Sequence, residues 1–264
     1  ASHYADQSIK NFRDSPVEMF TSLTGPADDR SVYVVSLWEN TMVACSHITS
    51  KIFTFERTLP AEAWPLSPDQ TISISCQAIA VYSNTLVVGN FASKNVYVFS
   101  RADQSSSWST SPTTTLSVNV EKFGHSVSIS GNTLVVGAFT SSKAYIFVRV
   151  SDTGTFPATP TNNLDESASR FGAVSIDPKD GNTIAVGTIV GGANKVFIYS
   201  RTDSSQAWPN TATTEINGHT AIGGFGNGLS IYKNTLVVGA ANSNMVFIFE
   251  RNTITGLFPI TATT

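Results

Sequence analysis

The chain has 264 residues and a formal net charge of −3, and charged residues make up only 13% of it, about half the usual share of roughly 25%. Ser and Thr fill the surface role instead, so the composition offers no basic face for nucleic acid or for an anionic membrane. No apolar run approaches the roughly 20 residues that a spanning helix needs.

In chain order, Ala1-Ser2-His3 comes first, with no initiator Met and no basic-plus-apolar leader. That is the expectation for a secreted chain whose signal peptide has been removed. Residues 1–9 precede any pattern and are expected to form a free arm or a docking peptide. Residues 10–23 then carry Phe12, Pro16, Val17, Met19 and Phe20, which copy a pattern met again from Ala63-Trp64-Pro65 through Ile72.

From there one phrase is written five times: Asn-Thr, an apolar run, a short polar turn, and an aromatic-rich run that stops at Arg. The copies run Asn40 to Arg57, Asn84 to Arg101, Asn132 to Arg149, Asn182 to Arg201 and Asn234 to Arg251. The Asn-to-Arg spacing is 17 in four copies and 19 in the fourth, which carries an extra Gly191-Gly192. A period of 44–52 residues without helical patterning is the signature of a β-propeller, each repeat being one blade.

The third copy gives the plan of a blade. Ser126 to Ser130 alternates as a half-buried strand, Gly131-Asn132 is a hairpin signal, and Thr133 to Gly137 is nearly continuous in apolar residues, as in a strand covered on both faces. Ser141-Ser142-Lys143 turns the chain into Ala144 to Val148. Seven residues beyond each Arg stands a large aromatic: Trp64, Trp108, Phe156, Trp208 and Phe258. A Thr-rich outer strand follows, such as Thr113 to Val118. The expected fold is therefore all-β: a single five-bladed β-propeller of four-stranded antiparallel blades over residues 10–264, with blades near 24–72, 73–116, 117–164, 165–216 and 217–264.

One end is surplus. The N-terminal segment and the run from Leu257 to Thr261 both read as outer strands, giving six such segments for five inner triplets. Either residues 10–23 close the ring within the chain, or Phe12, Pro16, Val17, Met19 and Phe20 form an intersubunit strand on a neighbouring molecule. Exposed strand edges template such pairing, and head-to-tail donation builds filaments.

Cys45 aligns with Gly137 and Cys76 with Gly124, which puts both at strand ends of neighbouring blades. A disulfide is geometrically reasonable there and would suit an oxidising compartment, whereas two buried free thiols would not require one.

The words FGHSVSISGNTLVVGA and KAYIFVR, with FGAVSI, GNTIAVGT and FGNGLSIYKNTLVVGA later in the chain, resemble FG-GAP repeats, the blades of integrin-type propellers and of many large extracellular proteins. The resemblance covers about residues 30–258 and implies a fold more firmly than a function. Ser31-Val32 and Ser75-Cys76 replace the Phe-Gly pair in the first two copies. Integrin-type blades often carry an Asp-x-Asp-x-Asp-Gly calcium loop. The run from Asp177 to Asn182 is the nearest match and has too few oxygen ligands at the right spacing.

Other chemistry is thin. His3, His47, His125 and His219 have no second ligand at metal spacing, no carboxylate pair recurs, and no nucleophile elbow or phosphate loop occurs, so neither an enzyme nor a cofactor is expected. The repeated Arg either forms a ring of donors for acidic groups or lays its stem on apolar strands with its head in water or on a carbonyl. The repeated aromatic either packs blade edges or stacks on sugar rings, as in a multivalent lectin. Clusters at Ser105-Ser106-Ser107 and Thr113-Thr114-Thr115 are candidates for O-glycans. The functional expectation is a non-catalytic, extracellular or cell-surface structural or adhesion module whose partners are copies of itself, other extracellular proteins or glycans.

Overall fold

The computed structural model describes residues 32–46, 48–141, 143–165, 170–190, 194–218 and 223–260. The expected arm at 1–9 and the strand at 10–23, with Phe12, Pro16, Val17, Met19 and Phe20, lie outside the described residues, as do His3, His47 and His219.

The described residues form five antiparallel sheets, each a meander of consecutive strands. Blade 1 comprises β1 (Val32–Trp38), β2 (Thr41–Ser46), β3 (Lys51–Glu56) and β4 (Gln70–Ser73). Blade 2 comprises β5 (Ala78–Tyr82), β6 (Thr85–Asn90), β7 (Asn95–Ser100) and β8 (Thr114–Ser117). Blade 3 comprises β9 (Phe123–Ser130), β10 (Thr133–Ala138), β11 (Lys143–Val148) and β12 (Asn162–Asp165). Blade 4 comprises β13 (Arg170–Ile176), β14 (Thr183–Val190), β15 (Lys195–Ser200) and β16 (Thr214–Asn217). Blade 5 comprises β17 (Phe225–Tyr232), β18 (Thr235–Ala240) and β19 (Met245–Glu250).

The fold is thus the expected five-bladed propeller, with two differences: among the described residues β1 and β17 do not pack together as successive innermost strands do, and the last blade is short of a strand. Blade 5 has three strands among the described residues. Outer strands begin six residues past the repeated aromatic, at Gln70, Thr114, Asn162 and Thr214. The corresponding position in blade 5 is Thr264, outside the described residues.

Local chemistry explains the hairpins. The residue before each repeated Asn takes a left-handed φ, from 49° at Glu39 to 64° at Gly181. Such a turn carries the right-handed strand twist around a tight corner. The second strand of each four-stranded blade is buried on both faces, which accounts for its nearly continuous run of apolar and small residues.

Apolar residues of adjacent blades merge into shared cores. One joins Val43 and Ile52 of blade 1 to Leu86 and Phe99 of blade 2. Another joins Val135 and Ile146 of blade 3 to Ile184 and Tyr199 of blade 4. The innermost strands pack in series, β1 on β5, β5 on β9, β9 on β13 and β13 on β17.

The Phe-Gly and Val-Gly words meet at these junctions. A Cβ on Gly187 would fall onto the backbone of Gly226, and one on Gly89 onto that of Gly124. Only glycine permits this approach of two backbones. Replacing Gly187 by Ala is expected to cost about 1–3 kcal/mol through overpacking. Gly239→Ala in blade 5, where the nearest atom to a new Cβ is 3.7 Å away, is expected to be nearly neutral. Urea unfolding of the two variants side by side checks both.

At the junction of blades 1 and 2 the glycine pair is replaced by Cys45 and Cys76, which are joined in a disulfide with their Cα atoms 6.2 Å apart. The bond ties the end of β2 to the loop entering β5.

Candidate functional site

The recurring polar residues converge at the outer part of each blade junction. Strands two and three of a blade pair so that the Thr after Asn lies opposite the residue before Arg: Thr41 with Glu56, Thr85 with Ser100, Thr133 with Val148, Thr183 with Ser200 and Thr235 with Glu250. Asn and Arg therefore lie side by side, and the Arg backbone N–H donates to the Asn carbonyl in all five blades at 2.7–3.1 Å.

The side chains repeat the pairing. The Nε–H groups of Arg57, Arg101 and Arg149 donate to Oδ1 of Asn40, Asn84 and Asn132 at 3.2 Å, and that of Arg201 to Asn182 at 3.0 Å. Each guanidinium also lies over the aromatic ring seven residues on, at 4.3 Å for Arg201 and Trp208 and up to 5.0 Å for Arg149 and Phe156. The stacking is a cation–π contact that is stronger for being shielded from water.

Across the junction, the guanidinium reaches the Thr of the preceding blade. Arg101 donates to Thr41 at 2.8 Å, Arg149 to Thr85 at 2.9 Å, Arg201 to Thr133 at 3.4 Å and Arg251 to Thr183 at 2.7 Å. Arg101 adds an ion pair with Glu56 at 2.6 Å. Arg149 donates in addition to the Gly131 carbonyl. Burial lowers the Arg149 pKa, and nearby Asp152 opposes that shift. Arg251 keeps its Thr and its ring, but its Nε has no hydrogen-bond partner.

The four Arg heads that reach a preceding Thr lie on that hydroxyl and on a ring, three of them with an amide as well, and those of Arg149 and Arg201 also on the Gly131 and Gly181 carbonyls. The rings of Trp108, Phe156, Trp208 and Phe258 are buried, with Arg over one face. They have no free face for a sugar. Trp64 is half-buried beneath Arg57 at the edge of blade 1.

Surface clefts flank the clasps. The one between blades 1 and 2 has a volume of about 450 Å³ and is lined by Glu56, Arg57, Asp69, Gln70, Arg101 and Trp108. Asp177 and Asp180, in the run nearest a calcium loop, are turned inward on their own turn, accepting from the N–H groups of Lys179 and Asn182. Among the described residues no three His, Cys, Asp or Glu side chains come together as a metal set.

His125 sits between the rings of Phe91 and Phe139, with centroids 5.7 and 5.1 Å away. Burial lowers its pKa; a hydrogen bond to the Gly172 carbonyl opposes the shift, and the charge of Lys122 adds to it. The folded state therefore prefers neutral His125, while the unfolded chain protonates near pH 6.5. Its contribution is complete above that pH and is lost as pH falls toward the folded value. Thermal midpoints from pH 7.5 to 5 are expected to fall more steeply for the natural chain than for His125→Gln, Gln77 standing at the same repeat position.

No curated protein sequence matches the chain. Residues 119–147 match the FG-GAP repeat. A chain in the crystal structure of a mitotic checkpoint complex is similar at 16% identity, with a TM-score of 0.59 over 83% of this chain and 63% of that one. A putative 6-phosphogluconolactonase from Bacteroides uniformis is similar at 12% identity, with a TM-score of 0.64 over 87% of this chain and 68% of its own. Hsv2 of Kluyveromyces lactis is similar at 11% identity, with a TM-score of 0.56 over 88% and 72%. At these identities the likeness shows the fold alone, and the chain spans about two thirds of the length of the solved chains it resembles. The chain is a β-propeller in which residues 119–147 are similar to the FG-GAP repeat.

Proposed function

We propose that this chain is a non-catalytic extracellular structural or adhesion module, and that it assembles with copies of itself into a surface fibre by exchange of a terminal strand. The observation that carries the reading is the duplicated outer-strand pattern, at residues 10–23 and again from Leu257 to Thr261. An exposed strand edge is a template for a strand from another molecule.

Three further observations support it. The repeated Asn, Thr, Arg and aromatic side chains serve to join blades, which is a mechanical use. The Cys45–Cys76 disulfide suits an oxidising, extracellular setting. Ser105, Ser107, Thr113 and Thr115 are exposed and open to O-glycans.

The test is to locate the protein on its native cells by surface labelling and to image the released material by negative stain. Surface labelling with fibres supports the reading; an intracellular location overturns it. A glycan array is expected to show no binding that depends on the buried rings.

A further inference from the structure

The junction of blades 1 and 2 departs from the plan of the next three. On the third strand of a blade, two alternate residues share the face turned to the following blade. They are Val98 and Ser100 in blade 2, Ile146 and Val148 in blade 3, and Ile198 and Ser200 in blade 4. Val98, Ile146 and Ile198 are buried in the core shared with that following blade. Blade 1 has Thr54 and Glu56 in these places. The residue just before the outer strand donates its backbone N–H to the carbonyl of the first of each pair. It is Thr113, Thr161 and Thr213 in blades 2 to 4, and Asp69 in blade 1.

These changes leave polar atoms without partners. Thr54 is 1% exposed, and its hydroxyl has no hydrogen bond. A hydroxyl shut away from water and unpaired is costly to a fold. The Asp69 carboxylate is fixed from one side: Oδ2 accepts from the Glu56 N–H at 2.7 Å, and Oδ1 has no bond among the described residues. Arg101 uses one N–H of each terminal nitrogen on Glu56 and Thr41 and keeps the second. All of these side chains line the cleft of about 450 Å³ between the two blades, which the exposed Gln104, Ser105 and Ser107 also border.

The chemistry of the cleft selects a class of ligand. Glu56, Asp69, Arg57 and Arg101 all line it, so an anion and a cation would each meet a like charge. The unbonded groups include an acceptor on Asp69, donors on Arg101, and the Thr54 hydroxyl and Gln104 amide, which do both. The complementary group is one that donates and accepts at a single atom, which is a hydroxyl. The volume lies in the range of small-molecule sites and is large enough for a sugar ring.

We propose that the junction of blades 1 and 2 binds one residue of a neutral glycan, whose hydroxyls bond to Thr54, Asp69 and Arg101. The site needs no open aromatic face, so it is compatible with the covered ring of Trp108. Contact through hydroxyls alone is weak at one site, and copies arrayed along a fibre supply avidity. The inference rests on the adhesion reading and names the partner of that adhesion.

The test uses protein from a host that adds no O-glycans, so that Ser105 and Ser107 at the cleft stay bare. Fluorescent beads coated with it are applied to an array of neutral, sialylated and sulfated oligosaccharides, and binding is expected on neutral ones. Saturation-transfer NMR with the methyl glycosides of galactose, glucose, mannose and N-acetylglucosamine then ranks the ring that is held. Thr54→Val and Asp69→Thr each install the residue found at the next junction, Val98 or Thr113. Both variants should therefore fold, with a urea midpoint for Thr54→Val at or above that of the natural chain. Each should weaken glycan binding at least about tenfold, while Lys143→Ala, in blade 3, should bind as the natural chain does. The proposal is overturned if no neutral glycan or glycoside binds, if sialylated or sulfated chains are preferred, or if both cleft variants bind unchanged. These results are read on purified protein, so they leave cell-surface location and fibre formation to the labelling and imaging experiments.

Discussion

Replacing Arg101 by alanine is expected to lower the unfolding free energy by about 3–5 kcal/mol, the range for removing one partner of a buried ion pair. The side chain is 2% exposed and that of Glu56 22%. The substitution removes the bonds to Asn84, Glu56 and Thr41 and the stack on Trp108 at 4.4 Å. It also leaves the Glu56 carboxylate part-buried with only the Thr41 hydroxyl as donor. Arg101→Lys should recover little, because one ammonium cannot reach three acceptors in a fixed fork or lie flat on the indole. The control is Lys143→Ala, which breaks a pair with Asp165 whose side chains are 45% and 49% exposed. That change should stay within about 1 kcal/mol. Denaturant unfolding of the three variants gives the comparison, and equal losses for Arg101→Ala and Lys143→Ala would remove the argument for a structural clasp.

The repeat made the fold legible. Asn-to-Arg spacing sets a hairpin with Thr opposite the residue before Arg, and the aromatic sets where the outer strand starts. Cys45 and Cys76 could be placed because they align with glycines that meet across a junction. The clasp was less legible, because its partners come from different blades and lie 60–68 residues apart. One signal was available. A hairpin tolerates many residues after Asn, yet all five copies carry Thr there, which turn chemistry alone does not require. Sequence alone leaves edge packing and sugar stacking open, because exposure of an aromatic depends on what lies over it, and at four rings that is the Arg seven residues earlier. Val35 and Leu37 of blade 1 are 63% and 60% exposed, yet they alternate as the buried Ile79 and Val81 do, so their exposure leaves no mark in the local pattern.

Reducing the Cys45–Cys76 disulfide, or replacing both residues by Ala, is expected to cost about 2–4 kcal/mol, since the bond closes a long loop in the unfolded chain; the two residues are 31 apart. The loss should not be spread evenly. Repeat arrays gain stability from each unit and from each junction with a neighbour. Among the described residues blade 1 has a packed neighbour only in blade 2, and that junction rests on the disulfide, on the Arg101 clasp, on the Val81 N–H donating to Ser36 Oγ at 3.1 Å, and on the shared core. It has no glycine pair, because the cysteines stand in its place. Without the bond, blade 1 should open first, so amide exchange in β1 to β3 should accelerate well before exchange in β9 to β15. Combining reduction with Arg101→Ala should detach blade 1 at temperatures where blades 3 and 4 remain protected. Uniform acceleration across all five blades would instead mean that the propeller unfolds as one unit and that the disulfide acts on the whole chain.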